Sequence, residues 1–210
     1  REEFCAKHNL DAERPVISLL AGSRHKEIAR ILPVLMKTAA LMKEKNNDLQ
    51  FVIPLARNRK LSEIEDAKQK IRNELPQFTI VQGETFNALN ASDAAAVTSG
   101  TATLETAIIG TPQAIVYKTS PFNYKLLRPL ISVEHFGLIN LIARERLIKE
   151  LIQDDFTPET LAAELFRLLE AETNKKMRER LHEVTETLGH GGASKRAAEF
   201  ILNSIKTDFN

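Results

Sequence analysis

The stretch "PVISLLAGSRHKEIARIL" (residues 15–32) joins two patterns that decide the fold. Its opening, "PVISLLAG", is a short continuous apolar run bounded by proline and glycine, the mark of a strand buried on both faces. The next segment places Ile28, Ile31, Leu32, Leu35, Met36, Ala39 and Leu41 at helical spacing. The same alternation continues to about residue 116. "LQFVIPL", "FTIVQG", "AAAVTSG" and "QAIVYK" supply four more strands. Helices are expected across Leu61, Ile64, Ala67 and Ile71, near residues 86–89, and over residues 102–109, the last stopped by Gly110, Thr111 and Pro112. Short β-rich runs alternating with longer helical ones predict an open α/β fold, a parallel sheet covered by helices.

After Tyr117 the alternation fails. "SPFNYKLLRPLI" predicts a short helix opened by Pro121, and "VEHFGLINLIARERLIKELI" a mixture of loop and helix. "DDFTPETLAAELFRLLEAE" predicts a helix capped by Thr157 with Pro158 in its first turn. Two more helices come after it, separated by "GHGGAS", whose glycines break the chain and whose Ser194 is expected to cap the last helix. The tail reads as wholly helical.

At 210 residues and 43% hydrophobic content, the chain can bury a sizeable core, so one compact domain with an appended tail is expected. The formal net charge of +1, from 29 basic and 28 acidic residues, gives no general field to attract nucleic acid. No nucleic-acid partner is expected, and any anion site has to be local. Cys5 stands alone, which precludes an intramolecular disulfide and suits a reducing compartment. No apolar run approaches the ~18 residues of a spanning helix, and no secretory pattern is present, so a cytoplasmic location is expected. The charged opening "REEFCAKHNLDAERP" sets residues 1–14 apart as a lead-in from a preceding domain.

Open parallel sheets bind ligands outside the carboxyl ends of their strands, where loops feed helix N-termini. In "LLAGSRHKEI", Gly22 lets the backbone turn tightly, Ser23 offers a hydroxyl, and Arg24 stands where the helix begins. A cation there is unfavourable by about 0.3–1 kcal/mol unless an anion accompanies it. The planar fork of arginine suits phosphate oxygens; the alternative is an exposed arginine beside a glycine turn. In "VTSGTATLETAIIGTP" (residues 97–112), Ser99, Gly100, Thr101 and Thr103 crowd the mouth of a helix. Unpaired N–H groups there make a ready phosphate site. Ordinary capping accounts for one such hydroxyl, not three and a glycine. Glu105, one turn in, is placed to accept hydrogen bonds from a ribose whose diphosphate lies on the helix start; the alternative is a favourable charge–dipole placement.

Neither G-x-G-x-x-G nor the P-loop pattern occurs, which argues against a dinucleotide dehydrogenase and a P-loop NTPase. No G-x-S-x-G elbow makes Ser99 a hydrolase nucleophile. His25, His135, His182 and His190 are too scattered to form a metal site, and Cys5 has no neighbouring ligands, so neither metal nor cofactor is expected.

On "LLAGSRHKEI", "FVIPLA", "SDAAAVTSGTATLETAIIGTPQAIVYKTSPFNYKLLRPLI", "FGLINLIA" and "KELIQDDFTPETLA", the sequence resembles the C-terminal half of the lipid-A-disaccharide synthases, over nearly its whole length. These are glycosyltransferases of the two-Rossmann-domain GT-B architecture. The resemblance implies a Rossmann-like sheet over residues 15–188, and a C-terminal helix over 189–210 that is exchanged in a homodimer or packs on the partner domain. It implies an enzyme of Gram-negative lipid A biosynthesis that joins UDP-2,3-diacylglucosamine to 2,3-diacylglucosamine 1-phosphate (lipid X), forming a β-1,6 disaccharide and releasing UDP. This half would hold the donor; the N-terminal domain would supply the acceptor site and the catalytic base.

Carried onto these residues, the resemblance puts Gly22, Ser23 and Arg24 near the diphosphate, with Arg24 stabilising the leaving group. It puts Ser99, Gly100, Thr101, Ala102 and Thr103 around the phosphates, Glu105 on the ribose, and Asn140 of "LINLIA" facing the donor as a catalytic residue. In "PFNYKLLRPLI", Phe122, Tyr124, Lys125 and Arg128 suit contact with the inner face of the inner membrane, fitting acylated substrates; the alternative is a helix packed on its own domain. Some positions depart from the family pattern. Ala21 and Ile139 stand where many members have proline, and Arg144-Glu145 where the usual form is glycine-arginine, a change expected to reshape the loop beside the donor. Two other readings stay open. One is another GT-B enzyme using a UDP-sugar, such as UDP-N-acetylglucosamine 2-epimerase or the muramyl-lipid N-acetylglucosaminyl transferase. The other is a nucleotide-binding module without catalysis.

Overall fold

The computed structural model describes residues 1–71, 74–120, 124, 135–189 and 191–208. Six parallel strands form one sheet in the order β3-β2-β1-β4-β5-β6: β1 Val16–Leu20, β2 Gln50–Leu55, β3 Phe78–Gln82, β4 Ala94–Thr98, β5 Gln113–Tyr117 and β6 Glu150–Ile152. All five expected strands are present. The chain builds outward from β1 to β3 and then returns to lay β4 on the other side of β1. Connections leaving β1 and β4 therefore diverge, which opens a crevice at their carboxyl ends.

The helices are α1 Glu2–Lys7, α2 His25–Lys45, α3 Ser62–Gln69, α4 Thr85–Ala91, α5 Thr101–Ile109, α6 Leu138–Ala143, α7 Pro158–Leu169, α8 Ala171–Glu186 and α9 Ala193–Asp208. Side chains of each strand alternate between two cores. Ile17 and Leu19 of β1, Ile53 of β2 and Ala94 and Ala96 of β4 join the core that contains Ile28, Ile31, Leu32, Leu35, Met36 and Ala39 of α2, with Leu161 and Leu165 of α7. On the other face Val16, Val52 and Val81 meet Phe4 and Cys5 of α1 and Ala88 and Ala91 of α4. Burial on both faces is why these strands read as unbroken apolar runs. Each fully buried Leu or Ile contributes roughly 1.5–3 kcal/mol. The helical periodicity slips at one place: Met42 is fully buried and Leu41 only half-buried.

The tail departs from the wholly helical reading. Within "KELI" lies β6, parallel to β5 with Leu151 opposite Val116. A three-residue edge strand with one buried side chain offers no alternation to read. Thr157 does cap α7, its hydroxyl accepting the Thr160 N–H at 3.2 Å. Ser194 lies inside α9, which already starts at Ala193, so it is not the cap. The helix expected from Pro121, with Phe122, Lys125 and Arg128, lies outside the described residues. Of that segment Tyr124 is described, its N–H donating to the Ser120 carbonyl at 3.0 Å.

Arg144 ends α6 in the left-handed conformation, with φ 55° and ψ 28°. Glycine is the usual residue there because a side chain costs roughly 1–2 kcal/mol in that region. Arg144 thus holds a turn that glycine adopts more readily, at the cost of local strain. Arg144→Gly should raise the unfolding free energy by about 0.5–1 kcal/mol, since relief of strain exceeds the entropy that glycine adds to the unfolded chain. Urea unfolding measures it, and a lower midpoint would show that the turn is not strained.

Candidate functional site

The loops leaving β1 and β4 both feed helix N-termini, and between them lies a cleft of about 470 Å³. Gly22, Ser23, Arg24, Ser99, Gly100, Thr101, Ala102 and Glu105 all line it. Thr103 does not. It is fully buried, and its hydroxyl donates to the Gly100 carbonyl at 2.8 Å, turning back into the helix start.

Gly22 has φ 97°, and a Cβ there would sit 2.6 Å from Glu27 Oε2. Only glycine makes this turn, and the vacated space holds the Glu27 carboxylate. That carboxylate accepts the Arg24 N–H at 3.3 Å and the Arg24 guanidinium at 2.9 Å. The cation at the start of α2 is therefore accompanied by an anion of the chain's own. Arg24's side chain is 82% exposed, and an exposed pair of this kind contributes ~1 kcal/mol at most. An incoming diphosphate can take the guanidinium over.

Across the cleft, the N–H groups of Gly100, Thr101 and Ala102 have no acceptor among the described residues. The first turn of α5 carries neither an acidic residue nor a side-chain cap, so the positive end of its dipole is uncompensated. A Cβ on Gly100 would meet nothing within 4 Å, which leaves room above these donors. Glu105 is exposed one turn further on, at the cleft wall. The floor is closed by Thr98, whose hydroxyl donates to the Leu20 carbonyl at 2.8 Å and locks the end of β4 to the end of β1.

Asn140, expected to face the donor, lies outside the cleft lining. It is fully buried; its Nδ2 donates to the Ile148 carbonyl at 2.7 Å and to Glu150 Oε1 at 2.9 Å, while its Oδ1 accepts the Ile148 N–H at 2.8 Å. Its polar atoms are consumed inside the fold, and it does not line the cleft. The Glu150 carboxylate also accepts the N–H groups of Phe136 (3.0 Å) and Gly137 (2.9 Å), holding the backbone just before α6. Ser99 reaches this assembly, its hydroxyl donating to the Phe136 carbonyl at 2.9 Å. Asn140 therefore positions a segment tied to the cleft and touches nothing in it.

Sequence reasoning missed Glu27, Thr98, Ala56 and Thr85 as parts of the cleft. Glu27 could have been found, since it sits three residues after Arg24 on the same helix face. Ala56 and Thr85 required the order of β2 and β3. Behind the start of α2, His25 Nδ1 donates to Glu63 Oε1 at 2.6 Å, and this bond holds the Glu63 carboxyl below its usual range. A second concavity, about 480 Å³, lies near Pro15 and Asp93 at the amino ends of β1 and β4, and two of its arginines are bonded within the fold. Arg178 there donates to the carbonyls of Gly110 and Ser92, and Arg1 pairs with Asp93 at 2.7 Å. Among the described residues no group of three His, Cys, Asp or Glu is arranged to hold a metal, and no helix is long and apolar enough to cross a membrane.

A parallel sheet of this order, with two helix N-termini converging at its reversal, defines a Rossmann-like domain. Solved structures share the fold. WaaG, a glycosyltransferase involved in lipopolysaccharide biosynthesis, superposes with a TM-score of 0.64 at 15% identity, over 96% of this chain and 50% of that one. The S. aureus MnaA-UDP co-structure gives 0.60 at 14% identity, over 98% and 48%. The family model described as lipid-A-disaccharide synthetase matches residues 1–204. The lipid-A-disaccharide synthases of Trichlorobacter lovleyi and Syntrophus aciditrophicus are 41% and 39% identical over 207 residues, 98% of this chain. The alignments cover 53% and 54% of those proteins, so the chain spans about half the length of the curated relatives it matches. This chain belongs to the lipid-A-disaccharide synthase family.

Proposed function

We propose that this chain is the donor-binding half of an inverting glycosyltransferase that moves 2,3-diacylglucosamine from UDP to lipid X and releases UDP. The observation that carries the reading is the meeting of Arg24 and the uncapped start of α5 in one cleft at the β1–β4 reversal. The diphosphate lies between them, taking the N–H groups of Gly100, Thr101 and Ala102 on one side and the Arg24 fork on the other. Gly22 and Ser23 flank it, and the Glu105 carboxylate accepts the ribose hydroxyls. Membership of the family and the UDP named with the MnaA fold relative support this ligand.

In the reaction, the acceptor hydroxyl oxygen attacks the anomeric carbon as the bond to the β-phosphate oxygen breaks, and that oxygen keeps the electron pair. The acceptor proton passes to a base on the N-terminal half of the protein, which also supplies the acceptor site. This half stabilises the charge that gathers on the departing UDP, through fixed N–H groups and one guanidinium. A homodimer engaging residues 189–210, and a membrane contact through Phe122, Tyr124, Lys125 and Arg128 that brings acylated substrates within reach, complete the proposal.

Calorimetric titration tests the donor assignment: UDP binds, and NAD and ATP do not. Binding of NAD or ATP without UDP would overturn it and favour a different nucleotide-binding module.

A further inference from the structure

On the β2–β3 side of the cleft, the loop after β2 carries Arg57, an exposed cation with no ion pair or hydrogen bond from its side chain among the described residues. Its neighbours are occupied: Arg24 meets Glu27, and Arg59 approaches Glu63 at 3.6 Å. The Arg57 stem crosses directly over Gly83, where a Cβ would lie 2.6 Å from both its Cγ and its Nε. Gly83 also has φ 74°, so glycine both makes this corner and leaves room for the arginine.

The loop is tied down. The Gln82 side-chain amide donates to the carbonyls of Arg59 (2.7 Å) and Arg57 (3.2 Å), and the Gly83 N–H donates to the Leu55 carbonyl at 3.0 Å. The residues flanking this corner, Ala56 on one strand end and Thr85 at the start of α4, line the cleft beside Pro54. The Arg57 guanidinium, unpaired among the described residues, thus stands next to the cleft residue Ala56 on the side away from α5, without itself lining the cleft. The diphosphate is met elsewhere, by Arg24 and the α5 start, so the chemistry left for this end is a flat ring. A guanidinium plane suits the face of such a ring better than a lysine ammonium does.

Resting on the UDP-donor reading, we propose that Arg57 is a specificity-determining residue that covers the nucleobase of the donor, stacking its guanidinium on the ring. Titration of UDP and of inorganic diphosphate into the wild type, Arg57→Ala, Arg57→Lys and Gly83→Ala proteins tests it. Arg57→Ala should weaken UDP about 10-fold and leave diphosphate unchanged, the size of one lost stacking contact. Arg57→Lys should recover little of that loss. Gly83→Ala, which forces Arg57 aside, should give the same pattern in folded protein. Equal losses for UDP and diphosphate, full rescue by lysine, or unchanged UDP affinity in Arg57→Ala would each overturn the assignment. A folded wild-type protein that bound no UDP would instead bring down the donor reading on which it rests.

Discussion

Arg24→Ala should lower the turnover of the intact transferase about 100- to 1000-fold, the usual loss when one fixed donor to developing charge is removed. The variant should fold normally, because the Arg24 side chain is mostly exposed and, among the described residues, bonds only to Glu27. Surface changes of this kind stay within about 0.5 kcal/mol of wild-type stability. Charge accumulates on the diphosphate as the glycosidic bond breaks, so the loss should fall mainly on kcat, with a smaller change in KM. Arg24→Lys should restore part of the rate, since a point charge replaces the fork. Steady-state kinetics on the intact enzyme, with thermal unfolding as the control for folding, decides the matter. Near-normal kcat would remove Arg24 from the leaving-group role.

Asn140→Ala should give the opposite signature. The change leaves the buried N–H and carbonyl of Ile148 without their partner and takes one donor from Glu150. Buried groups stranded in this way cost roughly 1–3 kcal/mol each, so a total loss of about 2–4 kcal/mol is expected. At about 2–4 °C per kcal/mol for a chain of this size, the melting temperature should fall by several degrees or more. UDP affinity of the folded protein should hold within about twofold, which differential scanning fluorimetry and calorimetry together would show. A large loss of UDP affinity with stability intact would return Asn140 to the donor contact implied by resemblance.

The contrast between these two residues shows what could be read from the sequence. Arg24 was legible because its position is local: a strand end, a glycine turn and a helix start lie within a few residues, and the physics of a helix N-terminus applies directly. The start of α5 was legible for the same reason. Convergence of the two loops came from the parallel alternation, which places successive strand ends at one edge of the sheet. The burial of Asn140 could not be read, because its partners, Ile148 and Glu150, belong to a loop and an edge strand too short to announce themselves. Thr103 sits among cleft residues in sequence, yet helix geometry turns its side chain inward. Arg57 gave no sign at all, since its placement depends on Gly83 and Gln82, more than twenty residues away and on a different strand end.

The link from Ser99 through Phe136 to Glu150 and Asn140 bears on the shape of the cleft. β6 is three residues long and lies at the sheet edge, where a strand held by backbone pairing alone would fray. Here its first residue, Glu150, gathers the N–H groups of Phe136 and Gly137, and Ser99 fastens the same segment to the end of β4. The wall beside the α5 N-terminus and the sheet edge are thus joined by one chain of hydrogen bonds. Bonds of this kind hold the wall in shape without a ligand, and preorganisation lowers the ordering cost of binding.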